Sequence, residues 1–155
     1  MSNRLRLGAI GRERHAGSYW ASGPRAWQPG DAVVLDLDMA TRVTVPDPRI
    51  DAVRGCVALE GGPLVYCIET ADLPAGVALE EVRVDRDVQP APVERADLAS
   101  PLVGLTVPAV QASFDGQDER PIEVGAIPYF AWANRSVQAM RVWIPVRPES
   151  SDRRQ

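Results

Sequence analysis

Apolar and polar residues alternate along much of the chain in short stretches that are separated by prolines and glycines. Residues 32–39 show this most clearly, because Val33, Leu35 and Leu37 share one face and Asp36 and Asp38 lie on the other. A period of two is typical of a β-strand that is buried on one face. The same reading predicts further short strands at residues 41–45, 82–84, 101–107 and 109–114. The pattern therefore predicts an all-β chain.

The densest apolar stretch is residues 124–146, and it predicts a β-hairpin. Residues 126–133 form the first arm, 134–138 the connection and 140–146 the return. The first arm is apolar on both faces, which is typical of a strand covered on both sides at the centre of a sandwich. Burial is therefore expected for Tyr129, Phe130, Trp132, Val142 and Ile144, with Arg135 and Arg141 outside or paired.

Residues 55–69 predict a second hairpin around the Gly61-Gly62 pair. A two-residue loop at that pair would place Cys56 opposite Cys67. Pro63 lacks an N–H group and would weaken the closing pair, so a longer or bulged connection is equally compatible with the sequence. Both cysteines are expected to be small, buried and reduced.

The strands are grouped into an antiparallel β-sandwich, jelly-roll-like, preceded by a partial strand pair from a neighbouring sandwich. Residues 70–100 are acidic and read as surface connections, which prolines 90 and 92 interrupt. Pro46 and Pro48 end the strand predicted at residues 41–45, because neither can donate to a ladder. The predicted organisation is a flexible arm at 1–18, the strand pair at 19–40, the sandwich at 41–147 and a polar tail at 148–155.

Charge and apolar content argue against nucleic acid and membranes as partners. The net charge is −4 and all basic residues are arginines, so no basic surface for nucleic acid or an anionic membrane is indicated. No apolar run approaches the ~18 residues that span a bilayer. The amino-terminal residues lack the apolar core of a signal peptide, and a cytoplasmic location is expected.

Candidate catalytic residues are scarce. His15 is the single histidine and lies in the predicted arm, away from any ordered nucleophile. Glu60, Glu69 and Glu123 lie within the strand motifs but near strand ends, where solvated carboxylates are normal. Two cysteines cannot complete a closed zinc site. The sequence therefore predicts no catalytic, cofactor-binding or metal-binding residue in this chain.

The aromatic residues allow a second interpretation. Tyr129, Trp132, Asn134 and Arg135 could contact a sugar or a protein partner, because an exposed aromatic ring combines apolar area with a polar edge. The position of the aromatic residues Tyr129 and Trp132 on a central strand favours packing in the core. Exposure of these rings would support a binding surface, whereas their burial would exclude one.

Three segments resemble glycoside hydrolase family 127, the β-L-arabinofuranosidase-like family. Residues 127–135 (IPYFAWANR) with 140–145 (MRVWIP) resemble its carboxy-terminal signature. Residues 27–39 (WQPGDAVVLDLDM) resemble the end of its middle sandwich, and residues 55–69 (GCVALEGGPLVYCIE) the start of its last one.

The resemblance implies a non-catalytic portion of a glycoside hydrolase that supports a helical catalytic barrel missing from this chain. It places a cysteine nucleophile and a zinc ion in that barrel, and their motifs have no counterpart here. Expected partners are the missing barrel or a second copy of the chain, and an arabinose-containing carbohydrate. The alternative is a free-standing carbohydrate-binding module. A gene remnant or a separately encoded subunit is a third interpretation.

Overall fold

A computed structural model of the chain describes the backbone of residues 4–7 and 33–36 and the whole of residues 38–98, 102–113 and 118–148. The chain divides into two compact units, Met1–Met39 and Ala40–Gln155. In the first unit, β1 (Arg4–Leu7) pairs antiparallel with β2 (Val33–Asp36). The strand β1 lies within residues 1–18, which were predicted from the sequence to be a flexible arm. His15 and residues 149–155 of the tail lie outside the described residues.

The second unit is built from β-strands and short 3-10 helices. The strands are β3 (Thr41–Thr44), β4 (Cys56–Gly61), β5 (Leu64–Glu69), β6 (Val82–Arg83), β7 (Ala91–Arg95), β8 (Leu102–Ala112), β9 (Glu119–Pro128), β10 (Met140–Arg141) and β11 (Ile144–Pro145). The 3-10 helices are Asp51–Val53, Thr70–Asp72, Leu79–Glu81 and Tyr129–Ala131. This content confirms the predicted all-β, antiparallel sandwich class.

The described strands of this unit run in the order β11-β4-β5-β9-β8-β6, with β3 beside β4, β7 beside β8 and β10 beside β5. The pairing is antiparallel throughout these strands, and an isolated parallel bridge joins Val84 to Val146. The longest ladder joins β8 to β9, from Leu105 opposite Ala126 to Ala112 opposite Glu119. This ladder positions the features described below.

Two of the prolines within these strands bear on the sequence predictions. The predicted strands at 101–107 and 109–114 merge into β8, which contains Pro108 between its β7-paired and β6-paired stretches. Pro92 lies in β7, so the prediction that this segment is a broken connection is wrong. Among the described strands β7 pairs with β8 alone, and an edge strand tolerates a proline that cannot donate to a ladder.

The predicted hairpin at 126–146 is wrong. The strand β9 ends at Pro128, and the next three residues form a 3-10 helix. The return arm does not pair with β9: β10 pairs with β5, and β11 pairs with β4. The apolar residues of this stretch therefore belong to separate elements, and they do not form two arms of one ribbon.

The register of the β4-β5 hairpin also differs from the prediction. Glu60 lies opposite Val65 and Gly61 opposite Leu64, so the loop is Gly62-Pro63. Gly62 has a φ of +57°, a conformation that glycine adopts without steric cost. This register keeps Pro63, which has no N–H to donate, out of the ladder. Cys56 then faces Pro145 and Cys67 faces Ile127, and both are free thiols.

The β8-β9 ladder carries apolar packing on both faces. The main core covers one face, where Leu105, Val107, Val124 and Ala126 pack with residues from β4, β5 and β6. A second, smaller core includes Ile127 of β9 and Leu102 of β8. Its buried residues are Cys67, Leu98, Ile127 and Ala131, and Leu102, Met140 and Val142 pack against them. None of the described helices is long and apolar enough to cross a bilayer.

Candidate functional site

A buried cluster of charged side chains lies beside the smaller core. Its members are Glu69 at the end of β5, Asp72 in the adjoining 3-10 helix, Arg95 at the end of β7, Asp97 and Arg135. The side chains of Glu69 and Asp72 are only 1% and 3% exposed. The interpretation of Glu69 as a solvated strand-end carboxylate is therefore wrong, because Arg135 covers and neutralises it.

Arg135 is the centre of this charged cluster. Its Nη1 and Nη2 atoms donate to the two carboxylate oxygens of Asp72 at 3.0 and 2.7 Å. Nη2 also donates to Glu69 Oε2, and Nη1 donates to Asp97 Oδ2 at 3.0 Å. A planar guanidinium suits such forked contacts, whereas a lysine ammonium does not.

Arg95 closes the other side of the charged cluster. It donates from Nη2 to Asp72 Oδ1 and from Nε and Nη2 to the two oxygens of Asp97, each at 2.7 Å. The cluster therefore combines three carboxylates with two guanidinium groups. Buried charges are tolerated when they are paired and hydrogen-bonded in this way.

Ion pairing in the charged cluster favours the ionised forms of Asp97, Arg95 and Arg135. Hydrogen bonds from Arg95 hold the pKa of Asp97 well below its usual range. Hydrogen bonds to Asp97 raise the pKa of Arg95, and hydrogen bonds to Asp72 raise the pKa of Arg135. A general acid needs a carboxyl pKa raised toward neutrality, so its pairing with Arg95 opposes a role of Asp97 as an acid catalyst. Arg135 Nε is buried without a hydrogen-bond partner within the described part of the chain.

Two glycines make room for the charged cluster on the β8-β9 ladder. A Cβ atom at Gly104 would lie 2.8 Å from both the Ala126 carbonyl oxygen and Arg95 Cγ. A Cβ atom at Gly125 would lie 3.1 Å from Arg95 Nη1 and 3.2 Å from Asp72 Cβ. The absence of side chains at these positions lets Arg95 and Asp72 approach the backbone of the sheet.

The charged cluster fixes the segment that follows β9, residues 129–137, which we call the aromatic loop. Ala133 has a φ of +63°, which is uncommon for a residue with a side chain. The N–H of Ala133 donates to Glu69 Oε1 at 2.8 Å, and Arg135 enters the charged cluster two residues later. Two anchors therefore hold the backbone of this loop.

The rings of the aromatic loop are exposed, and the prediction of their burial is wrong. Tyr129, Phe130 and Trp132 are 46, 63 and 38% exposed. The chain leaves the sheet at Pro128, so the strand alternation that would have buried these rings does not continue. Tyr129 and Trp132 stack at 6.2 Å between ring centroids with 16° between their planes.

The structure brings together only some of the predicted contact residues. Tyr129 and Trp132 are neighbours at the surface, and Asn134 is exposed beside them. Arg135 is mostly buried and paired, as the sequence prediction allowed. Asp72, Arg95 and Asp97 were missed, since acids in an acidic connection give no sequence signal of burial.

The other predicted carboxylates lie apart from the charged cluster. Glu60 accepts a hydrogen bond from Arg42 Nε at 2.8 Å on the outer part of the hairpin. Glu123 is exposed on β9, opposite Pro108. These positions do not place Glu60, Glu69 and Glu123 around one cleft.

The donor set in the described chain does not fit a zinc ion. Within residues 38–98, 102–113 and 118–148, no three or more histidine, cysteine, aspartate or glutamate side chains are grouped to hold a metal. Cys56 and Cys67 face different strands, and the buried acids are already paired with arginines. No metal-dependent step is therefore assigned to these residues.

We expect Cys67 to react slowly in the folded chain. Burial, with the nearby charges of Glu69 and Asp72, raises the pKa of this thiol to about 12. Because the thiolate is the nucleophile, an aromatic disulfide reagent at pH 8 should modify Cys67 about a thousandfold more slowly than in the unfolded chain. The half-buried Cys56 is the internal reference, and denatured protein should release two thiols. Equally fast reaction of both thiols in native buffer would contradict this placement.

Comparisons with known proteins all match this chain to one family. The family model described as the glycoside hydrolase family 127 C-terminal domain matches residues 41–145. The non-reducing end β-L-arabinofuranosidase of Bifidobacterium longum subsp. longum is 32% identical over 127 residues, which cover 72% of this chain and 19% of that protein.

Solved structures give the same result. A family 127 β-L-arabinofuranosidase from Geobacillus stearothermophilus T6 matches with a TM-score of 0.64 and 31% identity, over 79% of this chain and 21% of that one. A second family 127 β-arabinofuranosidase matches with a TM-score of 0.64 and 29% identity, over 79% and 20% of the two chains. This chain therefore spans about a fifth of the length of the relatives it matches.

Proposed function

This chain belongs to glycoside hydrolase family 127, in which it matches the C-terminal domain, and from that premise we propose that it is a non-catalytic β-sandwich supporting a separate catalytic barrel. The observation that carries the proposal is the match of residues 41–145 to that domain. About four-fifths of the length of each relative lies outside the part that this chain matches. The partner is accordingly the remaining, catalytic part of a β-L-arabinofuranosidase-like enzyme.

The chemistry of the charged cluster supports a structural role. Glycoside hydrolysis commonly uses one carboxyl group as an acid and another as a nucleophile or base beside the scissile bond. Here Glu69, Asp72 and Asp97 are bound by Arg95 and Arg135, and the first two are almost fully buried. The role of these carboxylates in the proposal is to stabilise the fold through their ion pairs. Zinc and the cysteine nucleophile belong, in this proposal, to the barrel.

We expect the purified chain to hydrolyse no arabinofuranoside. The reaction needs a positioned acid and a positioned nucleophile in one cleft, and the described residues supply no such pair. The assay follows release of an aryl group from an aryl β-L-arabinofuranoside, with and without added zinc. The Bifidobacterium longum enzyme serves as the positive control.

Two outcomes separate the alternatives. Turnover by the chain alone that is lost in a Glu60→Gln or Glu123→Gln variant would contradict a non-catalytic role. Turnover that appears only after mixing with a separately produced barrel would support a separately encoded subunit that assembles with its enzyme.

A carbohydrate-binding module is a second candidate, and the exposure of Tyr129, Phe130 and Trp132 favours it. An exposed ring can stack on a sugar, with its polar edge making hydrogen bonds. The stacking of Tyr129 on Trp132 opposes it, since each ring covers part of a face of the other. Titration with arabinose-containing oligosaccharides, followed by tryptophan fluorescence, tests this candidate. A change that is absent in Trp132→Ala would support it.

A further inference from the structure

The aromatic loop combines exposed apolar rings with a backbone that is held from beneath. Exposed loop tips usually carry small and polar residues and have few anchors. Here Ala133 is fixed by Glu69 and Arg135 is fixed by buried acids, so the rings are presented from an ordered segment. Ordering a loop before it binds lowers the entropic cost of association.

The surface of the aromatic loop is apolar and uncharged. Beyond the three rings, Val137 is 94% exposed, while Asn134 and Ser136 supply neutral polar groups. The charge within the loop belongs to Arg135, whose guanidinium faces the buried acids. Protein interface centres are enriched in aromatic residues and depleted of charged ones, and this surface has that composition.

We propose that the aromatic loop is the surface through which this domain docks on an apolar protein surface in the catalytic part of a family 127 enzyme. This inference rests on the proposed function and specifies its contact. The loop lies within the stretch that matches the family's C-terminal domain. The relatives supply a long additional chain beside that domain, and interfaces between domains of one chain resemble other protein interfaces.

The stacked pair in the loop distinguishes a protein partner from a sugar. Tyr129 and Trp132 share one stack, and Trp132 Nε1 donates to the carbonyl of Gln138 at 3.3 Å. The polar edge of that indole is therefore engaged within the domain and is not free to bind a sugar hydroxyl. Phe130, the most exposed ring, has no polar group at all. The stacked pair and Phe130 together therefore form an apolar projection that fits an apolar pocket of a protein.

Photo-crosslinking within an assembled enzyme tests the docking surface. In the Bifidobacterium longum enzyme, residues 41–145 of this chain replace the matching region, and p-benzoylphenylalanine replaces Phe130. A matched control carries the same group in place of Ile50, which is also about half exposed but lies in another loop. After irradiation, crosslinked peptides are identified by mass spectrometry.

The expected result is a crosslink from position 130 to a peptide outside the grafted domain but within the same molecule, at least about tenfold above that from position 50. No such crosslink in an active chimera would overturn the docking proposal and leave the supporting role intact. Crosslinks only between two copies would assign the loop to self-association. Suppression of the crosslink by an arabinose-containing oligosaccharide would assign it to sugar binding. Each of the last two results also overturns the proposal.

A chimera that does not fold is replaced by a second format. The unaltered chain, carrying the same photo-reactive groups, is co-expressed with the Bifidobacterium longum enzyme truncated before its matching region. Co-purification with a crosslink from position 130 supports the proposal, and co-purification without it contradicts the proposal. If neither format gives an assembly, the supporting role itself is contradicted, and that result is distinguishable from the failure of the loop alone.

Discussion

An Arg135→Ala variant should lose about 3–5 kcal/mol of unfolding free energy, because breaking a buried ion pair by removing one partner leaves an uncompensated charge. Glu69 would lose the only cation that the structure places on its carboxylate, within the residues described. Asp72 would keep Arg95 alone. Urea denaturation followed by circular dichroism measures the loss, and disappearance of a cooperative transition counts as a loss at or above this range.

The matched control for Arg135→Ala is Arg42→Ala. Arg42 pairs with Glu60 at 2.7 Å, but the arginine side chain is largely exposed, and exposed pairs contribute only about 0–1 kcal/mol. An Arg135→Lys variant keeps the charge but not the forked geometry, so its stability should lie between those of the parent and the alanine variant. Equal losses from Arg135→Ala and Arg42→Ala would show that the buried cluster does not stabilise the domain.

An Ile127→Ala variant should lose about 2–5 kcal/mol, the range for truncating a large aliphatic side chain in a packed core. Ile127 is fully buried and lies opposite Cys67, in the small core that also contains Leu98 and Ala131. Removing its outer carbons leaves a cavity under the aromatic loop. The free energy of unfolding is again measured by urea denaturation.

Ile50→Ala is the matched control for this second variant. The same atoms are removed from an exposed side chain, so the change should be within about 0.5 kcal/mol. If Ile127→Ala were as mild as this control, the smaller core would contribute little, and the anchoring of the aromatic loop would rest on the charged cluster alone.

The positions of several strands could be predicted from sequence because their signals are local. Alternation identifies β3 within residues 41–45, and the Gly61-Gly62 pair locates the turn between β4 and β5 to within one residue. The choice of pairing partners was not predictable in the same way. β10 and β11 pair with β5 and β4, which lie far earlier in the chain, and nothing in residues 140–146 identifies those partners.

Most of the candidate site could not be predicted from the sequence, for a similar reason. Tyr129, Phe130 and Trp132 follow a strand pattern, but β9 ends at Pro128, and the loop after it is held by Glu69, which lies 64 residues earlier in the chain. Aspartates and glutamates in a connection look solvated until a guanidinium reaches them. The resemblance to a known family singled out residues 127–135, the segment that contains these rings. The alternation in that segment predicted that the rings are buried, whereas they are exposed.

The order in which the cluster's members are synthesised has a consequence for how the domain matures. Arg135 lies 66 residues after Glu69, and Asp72, Arg95 and Asp97 also precede it. Domains are made from the amino terminus onward, and contacts between distant residues form late because they must close long loops. Asp72 and Asp97 can pair with Arg95 earlier, but Glu69, whose cation among the described residues is Arg135, must remain hydrated until that arginine has left the ribosome. The segment that displays the aromatic rings therefore takes its final conformation near the end of the domain's synthesis.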